Sequence, residues 1–322
     1  MTYALLALCL ALLAFGSVNA LESLALAAWF RLGRRERTPG QTERAILLLR
    51  SLPAAVSLLF VSALFLPAFI LLEPRETGER VTPSLLLLAS GGALVLVAGP
   101  IRALLASLAT RRLVREWERS ARPLALPGLA IPAWVVEESF PLVTVVGVFR
   151  PRLYIARQVL EGCSPAELAA IVSHEIAHVA NRDNWKRLLL RSFPDWLSLT
   201  PLASRLESAW SQAAEEAADD QASRRGASLD LAGALIKVAR WARPPHPELV
   251  PASALYRGEG VARRVGRLLQ PPGPSPTSRA ARSIPRLAIG LGLLATGLGI
   301  GIRFGLLESM HQLTETVVRL LQ

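Results

Sequence analysis

At 322 residues the chain is long enough for two ordinary soluble domains, but 52% of its residues are hydrophobic and only 6% are aromatic. This apolar excess is typical of a membrane protein and argues against a wholly soluble one. The formal net charge of +11 comes almost entirely from arginine, which anionic lipid headgroups attract. The sequence shows no basic stripe interleaved with aromatic residues, so we predict no direct binding to nucleic acid.

Four apolar blocks are each close to the roughly 20 residues with which an α-helix crosses a bilayer. They run from Tyr3 to about Phe30, from Ser51 to Leu72, from Ser84 to about Ile101, and from Leu287 to about Leu307. The first block has a second interpretation as a cleaved signal peptide, because Val18-Asn19-Ala20 resembles a cleavage site. We favour a retained helix, since nothing basic precedes this block and arginines follow it at once.

The distribution of arginine predicts the topology. The loop from Glu73 to Thr82 carries three Glu against two Arg, whereas five arginines follow the third block, at positions 111, 112, 115, 119 and 122. The positive-inside rule then places the N-terminus outside and residues 110 to 283 in the cytoplasm. We therefore predict a multi-pass protein of a cell membrane. Its expected segments are three transmembrane helices in 1–109, a cytoplasmic domain in 110–270, a Pro-rich linker in 271–283, and a fourth transmembrane helix with a short amphipathic tail in 284–322.

The cytoplasmic segment begins with short β runs and continues with helices. The runs are Trp134 to Val136, Val143 to Val148 and Leu153 to Ile155, and Pro141 and Pro151 separate them. The predicted fold class is therefore mainly α, with a small β-sheet beside the helices and the transmembrane part.

The clearest chemical motif lies on a well-marked helix. Ser164-Pro165-Ala166-Glu167 has the residues of an N-cap, a first helical turn and a capping box. The helix continues into His174-Glu175-Ile176-Ala177-His178, which has the pattern H-E-x-x-H. The two imidazoles are one turn apart, so they share a face and can bind one Zn²⁺.

Glu175 lies one residue round this helix, where it can take a proton from an attacking water without binding the metal. The chemistry predicted for the motif is therefore hydrolysis of a peptide bond. The alternative is that the two histidines only hydrogen-bond in a core. A well-capped amphipathic helix favours the metal site, because the mechanism requires that setting.

A catalytic zinc ion normally takes three protein ligands and keeps one position open. The two cysteines, Cys9 and Cys163, lie one in an apolar block and one in a loop, so a thiolate metal site lacks ligands and His and carboxylate must supply them. A second helix, from Leu202 to Arg225, carries Glu215 and Asp219 one turn apart. Glu215 can bind the metal while Asp219 accepts the free N–H of a ligand histidine. Glu216 as the ligand, and a merely solvated acidic face, remain alternatives.

Several runs carry a resemblance to a known family. They are Val146 to Leu153, Ser164 to Leu168, His174 to His178, Arg182-Asp183-Asn184 and Glu215-x-x-x-Asp219. In these runs and in their order, the chain resembles the BlaR/MecR-type antirepressor metallopeptidases of bacteria. The resemblance implies a zincin-like cytoplasmic domain between a third and a fourth transmembrane helix of the bacterial inner membrane.

The same resemblance implies residue roles and a biological role. It makes His174, His178 and Glu215 the ligands of one Zn²⁺ per chain, Glu175 the catalytic base, and Asp219 the supporting carboxylate. It also implies signal transduction through limited proteolysis of a cytoplasmic protein, a transcriptional repressor. The antibiotic-sensing members carry a penicillin-binding domain after the fourth helix, and this sequence has no such segment. A signal would then enter through the helices, a separate sensor partner or a homodimer.

Other interpretations remain open. The chain is also similar to membrane peptidases of the CAAX-prenyl and heat-shock type, which would imply housekeeping degradation of membrane proteins. A non-catalytic metal-binding signalling scaffold is a rival from another class, although Glu175 has no structural duty in such a site. A transporter is disfavoured, because the blocks lack paired intramembrane charges. The Val143 to Val148 run is expected to offer an edge to an extended substrate, and Tyr256 or a nearby arginine is a candidate oxyanion donor.

Overall fold

The computed structural model of the protein describes residues 2–32, 39–74, 81–138, 140–224, 226–242, 258–270 and 305–321. The predicted Pro-rich linker lies outside these residues, as does the predicted fourth span except for its last three residues. Within the described ranges the protein is mostly helical and contains one small mixed β-sheet.

Three helical stretches form a bundle: α1 (Thr2–Leu32), the continuous stretch of α2 (Pro39–Phe60), a π-helical turn (Val61–Phe65) and α3 (Leu66–Leu72), and α4 (Pro83–Glu118). Each contains a stretch long and apolar enough to cross a membrane. The first three apolar blocks of the sequence are therefore helices of the expected kind. The π-helical turn lies just before Pro67, whose missing N–H leaves a carbonyl of the preceding turn without its usual partner.

Helix α4 is much longer than a membrane crossing. Its 36 residues correspond to about 54 Å, whereas the hydrocarbon core of a bilayer is about 30 Å thick. The third apolar block was expected to end near Ile101, but the helix continues through Arg111 and Arg115 to Glu118. The polar half of α4 therefore projects beyond the bundle and forms a wall of the domain that follows.

The sheet contains β1 (Arg122–Leu124), β2 (Ala133–Val136), β3 (Val143–Val146) and β4 (Arg152–Ala156) in the order β1-β2-β4-β3. Strands β2 and β4 are parallel, and the other two pairs are antiparallel. The three predicted β runs are strands, and β3 ends two residues earlier than predicted. Strand β1 was not predicted, because Arg122-Pro123-Leu124 has no apolar alternation.

A tight turn follows β3 and contains Gly147 with φ +112°. A Cβ at this position would lie 2.5 Å from the carbonyl oxygen of Arg150. Only glycine satisfies both conditions, since it has no Cβ and adopts positive φ without strain. This requirement explains the glycine of the Val146-Gly147-Val148 run and fixes how the chain leaves the edge strand.

The helices after the sheet are α5 (Arg157–Gly162), α6 (Pro165–Asn181), α7 (Asp183–Ser192), a 3-10 turn (Trp196–Leu199), α8 (Pro201–Ser223), α9 (Ser228–Trp241) and α10 (Gly258–Leu268). The predicted capping box is present at the start of α6, where Ser164 and Glu167 each accept the other's backbone N–H. The core lies between the sheet, α6 and α9, and its fully buried residues include Tyr154, Ile155, Ile171, Leu231 and Leu235.

The turn between α7 and α8 is inserted into the helix bundle. Asn19 on α1 donates a 2.9 Å hydrogen bond to the carbonyl of Pro194, and Trp196 donates one of 2.9 Å to the carbonyl of Gly16. Arg50 on α2 forms a buried ion pair with Asp195. Because α7 and α8 flank this turn, these three polar contacts join the bundle to the domain. We call them the clasp. At the other end of the bundle, α11 (Leu306–Leu321) packs Val318 into a cluster with residues of α1 and α3.

Candidate metal centre

Two histidines of α6 face the same point. His174 is fully buried, His178 is half-buried, and their Nε2 atoms are 3.1 Å apart. This approach follows from their spacing, since residues four apart in a helix lie one above the other on the same face.

Helix α8 crosses α6 and supplies a carboxylate to the pair. Glu215 Oε2 lies 3.4 Å from Nε2 of His174, and Oε1 lies 3.5 Å from Nε2 of His178. The ligand atoms of all three side chains fall within 4.8 Å of one another. The small residues around Glu215, Ala213, Ala214 and Ala218, are buried, and they let the two helices approach closely.

The three side chains fit a zinc ion. Ligand atoms bound to tetrahedral zinc at about 2.0 to 2.1 Å are separated from one another by about 3.3 to 3.4 Å, close to the three separations in this site. Both oxygens of Glu215 are buried and accept no hydrogen bond from the described residues. Two imidazole nitrogens and one carboxylate are a donor set of catalytic zinc sites.

Asp219 lies one turn after Glu215, against the other nitrogen of the first histidine. Its Oδ1 is 3.0 Å from Nδ1 of His174. Arg264 on α10 holds this carboxylate from the far side with two hydrogen bonds of 2.7 Å, and its Nη1 is 3.0 Å from Oε2 of Glu215. Such a carboxylate fixes the tautomer of a ligand histidine, so that Nε2 presents its lone pair.

Asp183 does the same for the second histidine. Its Oδ2 lies 2.6 Å from Nδ1 of His178, because the chain reverses sharply between α6 and α7. The reversal occurs at Arg182, whose φ of +57° is left-handed although it is not glycine, a conformation that costs energy and occurs often at functional sites. Lys186 contacts Asp183 at 3.3 Å and also pairs with the buried Glu43 of α2.

Glu175 lies beside the three candidate ligands and is held by the edge of the sheet. Its Oε2 accepts a 2.9 Å hydrogen bond from the N–H of Val145. The carbonyl of Val145 accepts a 2.9 Å hydrogen bond from the side-chain amide of Asn184, which also donates to the carbonyl of Gly147 at 3.1 Å. Strand β3 is therefore fixed against the site by two polar side chains.

The electrostatics of the site favour a bound cation. Burial by itself would lower the pKa of His174, but the neighbouring Asp219 and Glu215 carboxylates outweigh burial and raise the pKa to about 9. Burial would raise the pKa of Asp219, yet the charge of Arg264 lowers it to about 2. The pKa of Glu215 also lies well below its usual range, since neighbouring cationic groups overcome the effect of burial. Carboxylates that stabilise an imidazolium in this way would also stabilise a divalent metal ion.

The comparisons with known proteins agree with this geometry. Residues 107–200 match the model of Peptidase family M48. The match supports a zinc-dependent metallopeptidase of the membrane type. It covers the sheet, α6 and α7, including His174, Glu175 and His178, and it ends just before α8. No curated protein matches the chain.

The structure therefore brings together all five residues singled out in the sequence. It separates Glu216, the alternative ligand, from the site, because that carboxylate pairs with Arg263 at 3.1 Å and with Arg267 at 2.6 Å. Tyr256 lies outside the described residues. Sequence reasoning assigned no role to Asp183, Asn184 or Arg264. The Arg182-Asp183-Asn184 run was a signal for the first two, since it follows His178 closely.

Proposed function

We propose that the protein is an integral membrane, zinc-dependent endopeptidase that hydrolyses peptide bonds of a cytoplasmic protein. The observation that carries the proposal is the buried Glu175 carboxylate beside the convergent His174, His178 and Glu215. A purely structural metal site needs the three ligands but has no use for a fourth, buried carboxylate next to them.

Each residue has a distinct part in the reaction. Zinc, when bound, would supply a Lewis acid for the attacking water and for the scissile carbonyl. Glu175 takes the proton of the water and delivers it to the leaving amine. Burial raises the pKa of Glu175, so the carboxyl group can hold a proton between the two steps. The Val145 N–H fixes its Oε2 and leaves Oε1 for the proton.

Asp219 and Asp183 orient the two histidines. Each carboxylate lies against the Nδ1 atom of one imidazole, so both rings keep Nε2 free for the metal. Arg264 anchors Asp219 and compensates the negative charge of the buried carboxylates. Arg264 also contacts the candidate ligand Glu215. It replaces Tyr256, which lies outside the described residues, as our candidate for stabilising the oxyanion.

The edge strand offers a way to bind an extended peptide. Strand β3 is at the edge of the sheet, and strand addition gives affinity through backbone hydrogen bonds without demanding one sequence. The N–H and carbonyl of Val145 on this edge are bonded to Glu175 and Asn184, so a peptide that pairs at Val145 would take the place of these two side chains. A peptide paired with β3 would therefore run past the catalytic base.

For the biological role, we propose regulatory proteolysis of a transcriptional repressor, with the catalytic domain in the cytoplasm. Support comes from the resemblance to the antirepressor peptidases and from the polar contacts that join the bundle to the site through Lys186 and Asp183. Housekeeping degradation of membrane proteins is the second candidate, and the family match supports a peptidase of either kind. A non-catalytic scaffold is the third.

The test is cleavage of an unstructured protein such as casein by the purified full-length chain. Wild type should cut, and Glu175→Gln should lose at least about 100-fold in rate while it keeps its zinc. Glu161→Gln is the matched control, because its side chain is 66% exposed and pairs with Arg157 rather than with a residue of the metal centre. Equal activity of wild type and Glu175→Gln would contradict the enzyme. Comparing protein fragments in cells that carry either form would then separate one cut repressor from many degraded membrane proteins.

A further inference from the structure

A groove of about 770 Å³ opens beside the edge strand. Its first wall is the projecting half of α4, from Ala106 to Glu118, and its second is the turn after β3. Its third wall is α7, from Asn184 to Arg191. Val145 and Asn184 both line the groove. The N–H of Val145 donates to Glu175, and the side chain of Asn184 donates to the carbonyl of Val145. The groove therefore adjoins the strand segment that holds Glu175.

The walls are strongly basic. Six arginines line the groove: Arg111 and Arg115 on α4, Arg150 on the turn after β3, Arg152 at the start of β4, and Arg187 and Arg191 on α7. The residues that line the groove include one carboxylate, that of Glu118, and it pairs with Arg152. Arg191 pairs with Glu207 at 2.7 Å. Arg111, Arg115 and Arg150 are exposed, and no acidic side chain in the described part of the chain pairs with them.

This convergence of like charges has an energetic consequence. Guanidinium groups that face one another across a cleft repel, and a cleft focuses their field toward its interior. The repulsion is relieved when an anionic group enters, and Arg is suited to bind carboxylates through paired N–H donors. The apolar side chains of Val114, Val146 and Leu188 lie between the arginines, so the groove suits a peptide better than a free ion.

The dimensions also suit a peptide. The lining face of α4 spans the 12 steps from Ala106 to Glu118, or about 18 Å of helix. This length accommodates about five or six residues of extended chain. Anionic lipid is the rival occupant, because arginines beside a membrane attract headgroups. Arg150 argues against it, because it lies on the turn between β3 and β4 rather than on a transmembrane helix.

We infer that the groove binds an acidic segment of the substrate, so that the peptidase prefers chains with Asp or Glu next to the scissile bond. This inference rests on the proposed peptidase function and names its substrate class. Arg111 and Arg115, on the α4 wall, and Arg150, on the turn opposite, bind the substrate carboxylates. The β3 edge then leads the neighbouring peptide bonds past Glu175.

The experiment compares two fluorogenic peptides with one shared core, one with Glu and one with Gln at the flanking positions. Wild type in detergent should cleave the Glu peptide with kcat/KM higher by about tenfold, and rising salt should reduce this ratio. Arg111→Gln/Arg115→Gln should bring the ratio close to one. Arg112→Gln/Arg119→Gln is the matched control, because these exposed arginines, one on α4 and one just after its last residue, do not line the groove. This variant should keep the wild-type ratio.

Binding of the labelled Glu peptide to Glu175→Gln gives a readout that needs no cleavage. Groove-dependent binding without cleavage by wild type would sustain the groove and overturn the peptidase. Cleavage of both peptides at equal rates would overturn the acidic preference and leave the peptidase intact. Loss of binding to anionic lipid vesicles in Arg111→Gln/Arg115→Gln, with the Glu-to-Gln ratio unchanged, would also overturn it and assign the arginines to lipid.

Discussion

The Asp183 carboxylate lies 2.6 Å from Nδ1 of His178, and Lys186 connects that carboxylate to Glu43 on α2. A candidate ligand of the metal is thus oriented by a residue that also contacts the helix bundle. Movement of α2 relative to α7 would alter the position of Asp183, and with it the orientation of the imidazole. This contact is a physical route by which a membrane event could reach the metal centre.

Replacing Asp183 tests this relationship. Asp183→Asn keeps the shape of the side chain but removes the charge that orients and polarises His178. We expect the zinc affinity to fall by about 10- to 100-fold, measured by competition with a chromophoric chelator. Asp230→Asn, in the first turn of α9, is the control and should bind zinc like wild type. An unchanged affinity in Asp183→Asn would show that the contact does not support the ligand.

The identity of the third ligand can be decided with two neighbouring glutamates. The Glu215 oxygens face the histidines and accept no hydrogen bond from the part of the chain that the structure describes, whereas Glu216 pairs with Arg263 and Arg267. We therefore expect Glu215→Gln to lose zinc after dialysis and Glu216→Gln to retain it, as measured by metal analysis. The reverse pattern would assign the ligand to Glu216 and would require a different rotation of α8.

Asn184 is expected to matter for the edge strand. Asn184→Ala removes the donors to the carbonyls of Val145 and Gly147. Each neutral hydrogen bond contributes about 1 kcal/mol, so the strand should loosen without unfolding the domain. Hydrogen exchange at residues 143–147 should become faster, and peptide cleavage should slow mainly through a higher KM. Asn181→Ala, at the end of α6, is the matched control. Unchanged exchange in Asn184→Ala would contradict this role.

The clasp between the bundle and the domain depends on a buried ion pair. The side chains of Arg50 and Asp195 are 4% and 0% exposed. Arg50→Leu leaves the Asp195 carboxylate buried without its partner and should cost about 3 to 5 kcal/mol of unfolding free energy. Adding Asp195→Asn should recover part of this loss, because it removes the uncompensated charge. Arg44→Leu, exposed on the same helix, should have little effect. Equal stability of Arg50→Leu and Arg44→Leu in thermal unfolding would contradict the clasp.

Local patterns in the sequence predicted much of this structure. The three apolar blocks are continuous in the sequence, and the capping box at Ser164 and the H-E-x-x-H spacing act within one or two helical turns, where geometry follows from sequence separation. The shared face of Glu215 and Asp219 was predictable for the same reason. The point at which α8 crosses α6 was not predictable. It depends on the buried alanines of α8 and on the contacts between the α7–α8 turn and the helix bundle.

The remaining contacts depend on conformations that the sequence pattern does not display. Asp183 reaches His178 only because Arg182 adopts a left-handed conformation, which residue type alone does not predict. Arg264 lies 45 positions from Asp219, so only the tertiary fold brings them together. The end of α4 was not predicted, because hydropathy reports where the apolar stretch ends and not where the helix does.

The central claim is that one zinc ion and Glu175 together make this protein a peptidase. The most direct measurement removes the metal from the full-length protein with a chelator, restores zinc in steps, and follows peptide cleavage at each step. The account predicts that wild-type activity rises in proportion to bound zinc and levels off at about one ion per chain, while Glu175→Gln binds the same amount and stays inactive. Cleavage by the metal-free protein, or by zinc-loaded Glu175→Gln at the wild-type rate, would contradict it.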